Sequence, residues 1–419
     1  MIARFLSRFR RVTTSGNFIA EIDGLRFIAI GTVVLFHLMV GLSIKSPTQF
    51  AIPHGLNILK MIGLQGYHGV ELFFIISGFI LAYPFASHLL KGKRPVNLKS
   101  YFLRRVTRLE PPYILCMLFM YVLRVSTKGA NSEALFPHLM ASLGYLHNII
   151  YGSESPINNV AWSLEIEIQF YILVPLLSFV FAIQRKSLRR AVLLAACGVS
   201  VIVSLFISQP GNTFYLTIAR FLHFFLIGFL LADVYLMDWQ ERPAKKMIWD
   251  WVSFVGWPLL IIVWNMPSFV STSLSESVAL GIQAFSFPVL AFFLYMAVFR
   301  GPLTNWLMTK PLVTTIGGMC YSIYLFHNPV MGVIESATRS LAPTHLYSLN
   351  LLLQMLIVLP LMLIPTGTYF LLIEKPCMRR DWPKRLYGKI QRFAREGSRG
   401  VTNSDNPGRR AWSKTEGKL

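Results

Sequence analysis

The sequence predicts an all-α, polytopic membrane bundle of about ten spanning helices with both termini in the cytoplasm. Three observations predict it. Hydrophobic residues make up 54% of the 419-residue chain and charged residues only 14%. The mean hydropathy is +0.52, outside the soluble globular range. Apolar runs near the length that crosses a bilayer recur from end to end. Lys and Arg are also partitioned between alternate loops: 20 on one side against 4 on the other (Lys45, Lys60, Lys128 and Arg339), leaving aside the C-terminal tail. That is the positive-inside bias, and it places the N-terminus in the cytoplasm.

The runs fall at about 22–44, 66–88, 111–125, 160–184, 191–208, 217–236, 247–266, 278–299, 312–335 and 350–373. The cytoplasmic N-terminus and the four inner loops carry 4, 7, 4, 3 and 2 basic residues in turn. The third run is short, and the segment before it, "KSYFLRRVTRLEPPY", reads as a loop. The first run, with Arg26 and His37 inside it and no small-x-small site after it, is not a cleaved signal peptide. Residues 1–21 form a basic cytoplasmic arm, 22–376 the membrane domain, and 377–419 a basic tail. Thirteen Lys and Arg follow Glu374; beside a membrane they suit anionic lipid rather than nucleic acid, despite the net charge of +21. Past about residue 398 the tail is polar and expected to be disordered. Cys116, Cys197, Cys320 and Cys377 imply neither a disulfide framework nor a metal cluster. There is no repeat of fixed period, no evident broken helix pair, and no appended soluble domain.

Ionisable side chains inside spans are costly and point to function. The first span holds Arg26 and His37, with Asp23 at its inner mouth; the second holds Glu71, the fourth Glu165 and Glu167, the ninth His327. Arg124, Arg220, His223 and Asp233 lie toward span ends or beside them. Eleven residues of helix come to about 1100°, so Arg26 and His37 share a face roughly 16 Å apart along the axis. His37, Glu71, Glu167 and His327 fall at similar depth in the outer half. Neighbouring spans can bring His37 and Glu71 together, and a carboxylate on one imidazole nitrogen makes the other a better base. Near Arg26 on the inner side stand Arg104, Arg105 and Arg108, guanidinium groups suited to phosphate. Arg104, Arg105 and Arg108 also satisfy a purely topological reading, and Trp162 an interfacial anchor.

"DGLR" with His37 ten residues on, "GVELFFIISGF", "RRVTRLEPPY", "WSLEIEIQFY", "YSIYLFHNP" and "EKP" follow one another from residue 21 to 376. This ordered set resembles the acyltransferase 3 family of integral membrane acyltransferases. The resemblance implies transfer of an acyl group, by default acetyl, from cytoplasmic acyl-CoA to a hydroxyl of a carbohydrate or lipid-linked glycan outside. It assigns Arg26 and His37 to the required pair, Arg105 and Arg108 to the coenzyme phosphates, and Glu71 to the acidic second-span position. It also carries over Trp162, Glu167 and Glu374. Glu165 and His223 depart from the family pattern, and neither takes a catalytic role. The expected setting is a bacterial inner (plasma) membrane, with no metal required.

The mechanism expected from both lines is direct. Arg104, Arg105, Arg108 and Arg26 hold acyl-CoA, and His37, oriented by Glu71, activates the acceptor hydroxyl. Trp162, Glu167 and His327 face the substrate. An acyl-His37 intermediate fits equally well. The rival class is a proton-coupled secondary transporter with the His and Glu side chains as its relay. Oligomeric state leaves no trace in the sequence.

Overall fold

The computed structural model describes residues 6–12, 18–46, 50–51, 57–129, 131–208, 211–269, 273–379, 381–383, 385 and 391. The distal tail, expected to be disordered, lies outside the described residues. Among these, every regular element is helical. We number the long helices α1 (Ala20–Lys45), α2 (Gly69–Lys91), α3 (Leu98–Lys128), α4 (Trp162–Leu177), α5 (Lys186–Ile207), α6 (Ile218–Met237), α7 (Ile248–Asn265) and α8 (Ser273–Arg300). There follow α9 (Pro311–Gly318), α10 (Cys320–Thr338) and α11 (Tyr347–Tyr369). Nine helical segments among the described residues are long and apolar enough to cross a membrane.

The centre of the bundle is the α2–α6 pair, whose spanning windows are 72% and 78% buried. Two glycines make the pair possible. A Cβ on Gly78 would sit 2.2 Å from the Phe225 carbonyl oxygen, and one on Gly228 2.3 Å from that of Ile75. Small residues let membrane helices touch backbone to backbone, which dispersion and not hydrophobicity rewards inside lipid. Phe74 and Phe170 stack on Phe225 at ring separations of 4.7 and 4.0 Å and fill the space beside the contact.

Two expectations need correction. The ninth run, read as one span over 312–335, is broken into α9 and α10 at Met319. Gly317 and Gly318 weaken the helix there. Gly317 also packs against α1 so closely that a Cβ would lie 1.8 Å from the Asp23 carbonyl oxygen. The new N-terminus of α10 is capped from outside the helix: Glu374 accepts hydrogen bonds from the backbone N–H of Ser322, at 3.0 Å, and from its hydroxyl. The broken pair still runs the length of α1. Gly317 touches the start of α1, while Gly332 and Glu335 accept bonds from Lys45 at its end, at 2.9 and 2.7 Å.

The arginine segment before the third run is not a loop but the first turns of α3, which runs 31 residues through Pro111 and Pro112. A proline inside a helix deprives the carbonyl four residues earlier of its donor. Here the Thr107 carbonyl, orphaned by Pro111, accepts from Trp382 Nε1 at 2.8 Å. The exception is thus satisfied by the tail, and Arg104, Arg105 and Arg108 become rungs of a rigid helix.

Candidate active site

A cavity of about 1690 Å³ opens between α1, α2, α3, α4 and α10. Its lining follows α2 from Val70 to Gly92, about 33 Å of helix rise. One end is basic. Arg11, Arg26, Lys93, Arg94, Arg104, Arg105, Arg108 and Arg379 line it, against Glu374. Arg105 lies flat over the Tyr101 ring at 3.7 Å, and its Nη1 donates to the Tyr101 carbonyl at 3.0 Å. Stacking fixes a guanidinium without consuming its remaining donors. Asp23 accepts from Arg26 at 2.7 Å and from Arg11 at 2.8 Å, so one carboxylate serves two cations. Burial, followed by repulsion from Arg26, draws Arg11 down to about 10 despite Asp23. It remains cationic at neutral pH, in an end built with surplus positive charge.

The other end is apolar, lined by Val70, Phe73, Phe74 and Leu164, with Ser77, Ser163, Glu167 and Tyr324 among them. Just beyond Tyr324 lie His37 and His327, their rings 4.8 Å apart. Their tautomers follow from their partners. His327 Nδ1 lies 2.8 and 3.1 Å from the carbonyl oxygens of Tyr324 and Ile323, which only accept, so Nδ1 carries the proton. His327 Nε2 is then an acceptor, 3.2 Å from His37 Nδ1. His37 Nδ1 also faces the Val33 carbonyl at 2.9 Å, so it too is protonated. The lone pair of His37 is left on Nε2, which hydrogen-bonds nothing among the described residues. That is the form a general base needs.

The expected single layer of acid and base is instead three separate clusters. Glu71 does not meet His37: it accepts from Nδ1 of His68, three residues earlier on the same turn. His68 is in turn stacked on Trp264 at 5.3 Å. Glu167 lies deeper, accepting from Ser77 at 2.6 Å, two turns inward of Glu71 on α2, or about 9 Å. His327 takes the place expected of Glu71 beside His37. Trp162 is the first residue of α4, its ring 5.6 Å from Phe221. Arg104, Arg105 and Arg108 come together with Arg26 around the basic end, as their spacing suggests. Glu165 is buried under the outer loop and accepts from the Asn148 N–H at 2.8 Å. His223 is buried between α5 and α6, its carbonyl taking the Cys197 thiol at 3.4 Å. Glu374 caps α10 rather than pairing with Lys375 or Arg379.

A search for charge missed two side chains, Ser163 and Tyr324, whose hydroxyls meet at 2.6 Å. Both lie inside the sequence motifs, at "WSLEIEIQFY" and "YSIYLFHNP". Among the described residues no group of three His, Cys, Asp or Glu could hold a metal.

The chain was compared with known proteins. Residues 19–369 match the family model described as an acyltransferase domain, the acyltransferase 3 family. The chain is 24% identical over 357 residues to the O-acetyltransferase OatA of Staphylococcus aureus (strain NCTC 8325 / PS 47), covering 81% of this chain and 55% of OatA. It is 28% identical over 346 residues to the putative peptidoglycan O-acetyltransferase YrhL of Bacillus subtilis (strain 168), covering 76% of this chain and 49% of YrhL. The chain thus spans about half the length of these relatives. No solved structure matches. With the match running through all but its two ends, the chain belongs to the acyltransferase 3 family.

Proposed function

We propose that this protein is a membrane O-acetyltransferase that takes acetyl from cytoplasmic acetyl-CoA and transfers it to a hydroxyl of a cell-envelope glycan on the opposite face. The observation that carries this reading is the cavity, basic at the end shared by the positive loops and apolar where it reaches the wall beneath His37. A donor with a phosphate-rich head and a long thin arm ending in a thioester matches that gradient. Arg105, Arg108 and Arg104 hold the phosphates, with Arg26 further in. His37 Nε2 removes the acceptor hydroxyl proton, and His327 orients it through Nδ1 in the role first given to Glu71. Glu167 acts within the cavity wall, and Trp162 at the outer rim where the glycan arrives.

The names of OatA and YrhL support acetyl as the group and, for YrhL, peptidoglycan as an acceptor. Both termini then lie in the cytoplasm, and the inner membrane is the setting. The transporter reading has one feature in its favour, the break at Met319. However, the freed end of α10 is occupied by Glu374 rather than open to an ion.

The test is release of free CoA from acetyl-CoA by the purified protein, with an envelope-glycan extract as acceptor. Release that requires the extract and falls by about 10³ in His37→Ala, with acetyl-CoA binding retained, is expected. Equal release by both proteins would remove His37 from the chemistry. No release by the wild type would return the transporter to first place.

A further inference from the structure

We propose that Tyr324 supplies the hydrogen bond that stabilises the oxyanion of acyl transfer, and that Ser163 is the residue that positions it. The proposal rests on the donor reading above, which leaves the acceptor of that developing charge unassigned.

Among the tyrosines of the cavity wall and the hydroxyls of its apolar end, elimination decides the choice. An oxyanion needs a donor with a proton to spare, in a site largely free of water. Five tyrosines line the cavity. Tyr101 donates to the Tyr171 carbonyl at 3.2 Å, and Tyr321 to the Leu109 carbonyl at 3.0 Å. Tyr171 and Tyr83 each have a carboxylate beside the hydroxyl, Glu167 and Glu241 in turn. The first two protons are committed to carbonyl oxygens, and the other two hydroxyls have a charged acceptor at hand. Ser77 gives its own to Glu167. Tyr324 differs because its partner is another hydroxyl, Ser163. Two hydroxyls share one hydrogen bond, and the second proton has only a long alternative, from the Ser163 hydroxyl to the Val160 carbonyl at 3.4 Å. When Ser163 turns from that long bond to donate to Tyr324, the free proton is the phenolic one.

Its placement suits the chemistry. Tyr324 and Ser163 are 6% and 4% exposed, yet both border the cavity. On α10, Tyr324 stands one turn inward of His327, with ring centroids 5.8 Å apart, and His327 holds His37. Donor and base are thus fixed by adjacent turns of one helix, which enters from a capped end. The acceptor oxygen forms its bond to the thioester carbon as the carbonyl π pair moves onto oxygen. The hydroxyl proton passes to His37 Nε2. Collapse breaks the C–S bond, and the departing thiolate takes the proton from His37. Tyr324 keeps its proton throughout and only shares it with the oxyanion.

The experiment uses the full chain in detergent, with Tyr324→Phe, Ser163→Ala and Ser163→Thr. Tyr324→Phe should lower kcat about 100-fold, with the KM for acetyl-CoA within about twofold. Ser163→Ala should cost about tenfold, and Ser163→Thr, which retains a hydroxyl, should recover most of it. A second readout does not use turnover. Carbonyl-¹³C acetyl-CoA bound to His37→Ala should show its C=O stretch at lower wavenumber than in solution. Adding Tyr324→Phe should return the band to the solution position. A kcat within about threefold of wild type in Tyr324→Phe, or a band that ignores Tyr324, overturns the assignment. If Tyr324→Phe does not fold, the Ser163 pair and its effect on the band decide by the same criteria. A wild-type protein that neither binds nor consumes acetyl-CoA would overturn the donor reading itself, a different outcome from full activity in Tyr324→Phe.

Discussion

The two ends of the cavity are held by opposite means. At the basic end, side chains are fixed by stacking and by shared ion pairs: Arg105 on Tyr101, Arg26 and Arg11 on one Asp23. At the His37 end, no ion pair reaches the imidazole among the described residues, and a chain of two imidazoles ending on backbone carbonyls sets the proton position. The first arrangement tolerates the loss of any one cation. The second depends on each member. Electrostatic grip is redundant, whereas proton placement is not.

That contrast ranks the expected effects of substitution. Breaking the imidazole chain should matter most after loss of His37 itself. His327→Ala should lower kcat about 100-fold, while Glu71→Gln, which touches His68 and not His37, should stay within about threefold. Steady-state kinetics on both variants would reverse the comparison if Glu71→Gln proved the more damaging. Next come the redundant cations. Arg105→Ala or Arg108→Ala alone should raise the KM for acetyl-CoA about tenfold with kcat retained, and the penalty should shrink in high salt. A fall in kcat at saturating acetyl-CoA would show that the arginines also shape the transition state.

A third expectation concerns folding. Glu374→Ala removes the only side-chain acceptor bonded to the first turn of α10 among the described residues. It should cost about 2 kcal/mol of stability, seen as a lower unfolding temperature in detergent. An unchanged melt would mean that water caps the helix instead. The smallest effect lies at the cavity mouth, where Lys93 pairs with Glu241. The hydrogen bond to Glu241 holds Lys93 above the ordinary lysine range. Burial disfavours the Glu241 charge, but bonds from Lys93 and Tyr83 outweigh it and hold the carboxylate low. The lysine's contribution is therefore present below about pH 10 and fades as pH rises through its raised pKa. The glutamate's is present above about pH 4 and fades in acid. Half-exposed, the pair contributes about 0–1 kcal/mol, so the melt of Lys93→Ala should differ from wild type only within that window.

How much of this could be read in the sequence depended on the kind of interaction. Hydrophobic length and basic loops located nine spans because both are local properties of a segment. The break at Met319 escaped because Gly317–Gly318 alone is a weak signal, and what stabilises the new helix end, Glu374, is 52 residues from its partner Ser322. The arginines of α3 read as a loop because Pro111 normally ends a helix, and its remedy, Trp382, is 275 residues from the Thr107 it serves. Glu71 was paired with the wrong histidine although His68 lies at the i, i+3 spacing that places two side chains on one helix face. His68 stands at the very start of the 66–88 run, where a histidine carries no mark of its partner. Ser163 and Tyr324 are equally silent in the sequence, since hydroxyls carry no charge to mark them.

The bond between Trp382 and Thr107 has a further consequence. The acceptor it uses exists only because Pro111 cannot supply an N–H of its own. Replacing that proline with alanine would complete the helix and at the same stroke take away the peg on which the tail hangs. The tail's mooring is thus encoded in a helix defect rather than in any affinity of the tail. It is tied to the very turn that carries Arg105 and Arg108, so the arm best suited to lipid also stiffens the basic end of the cavity.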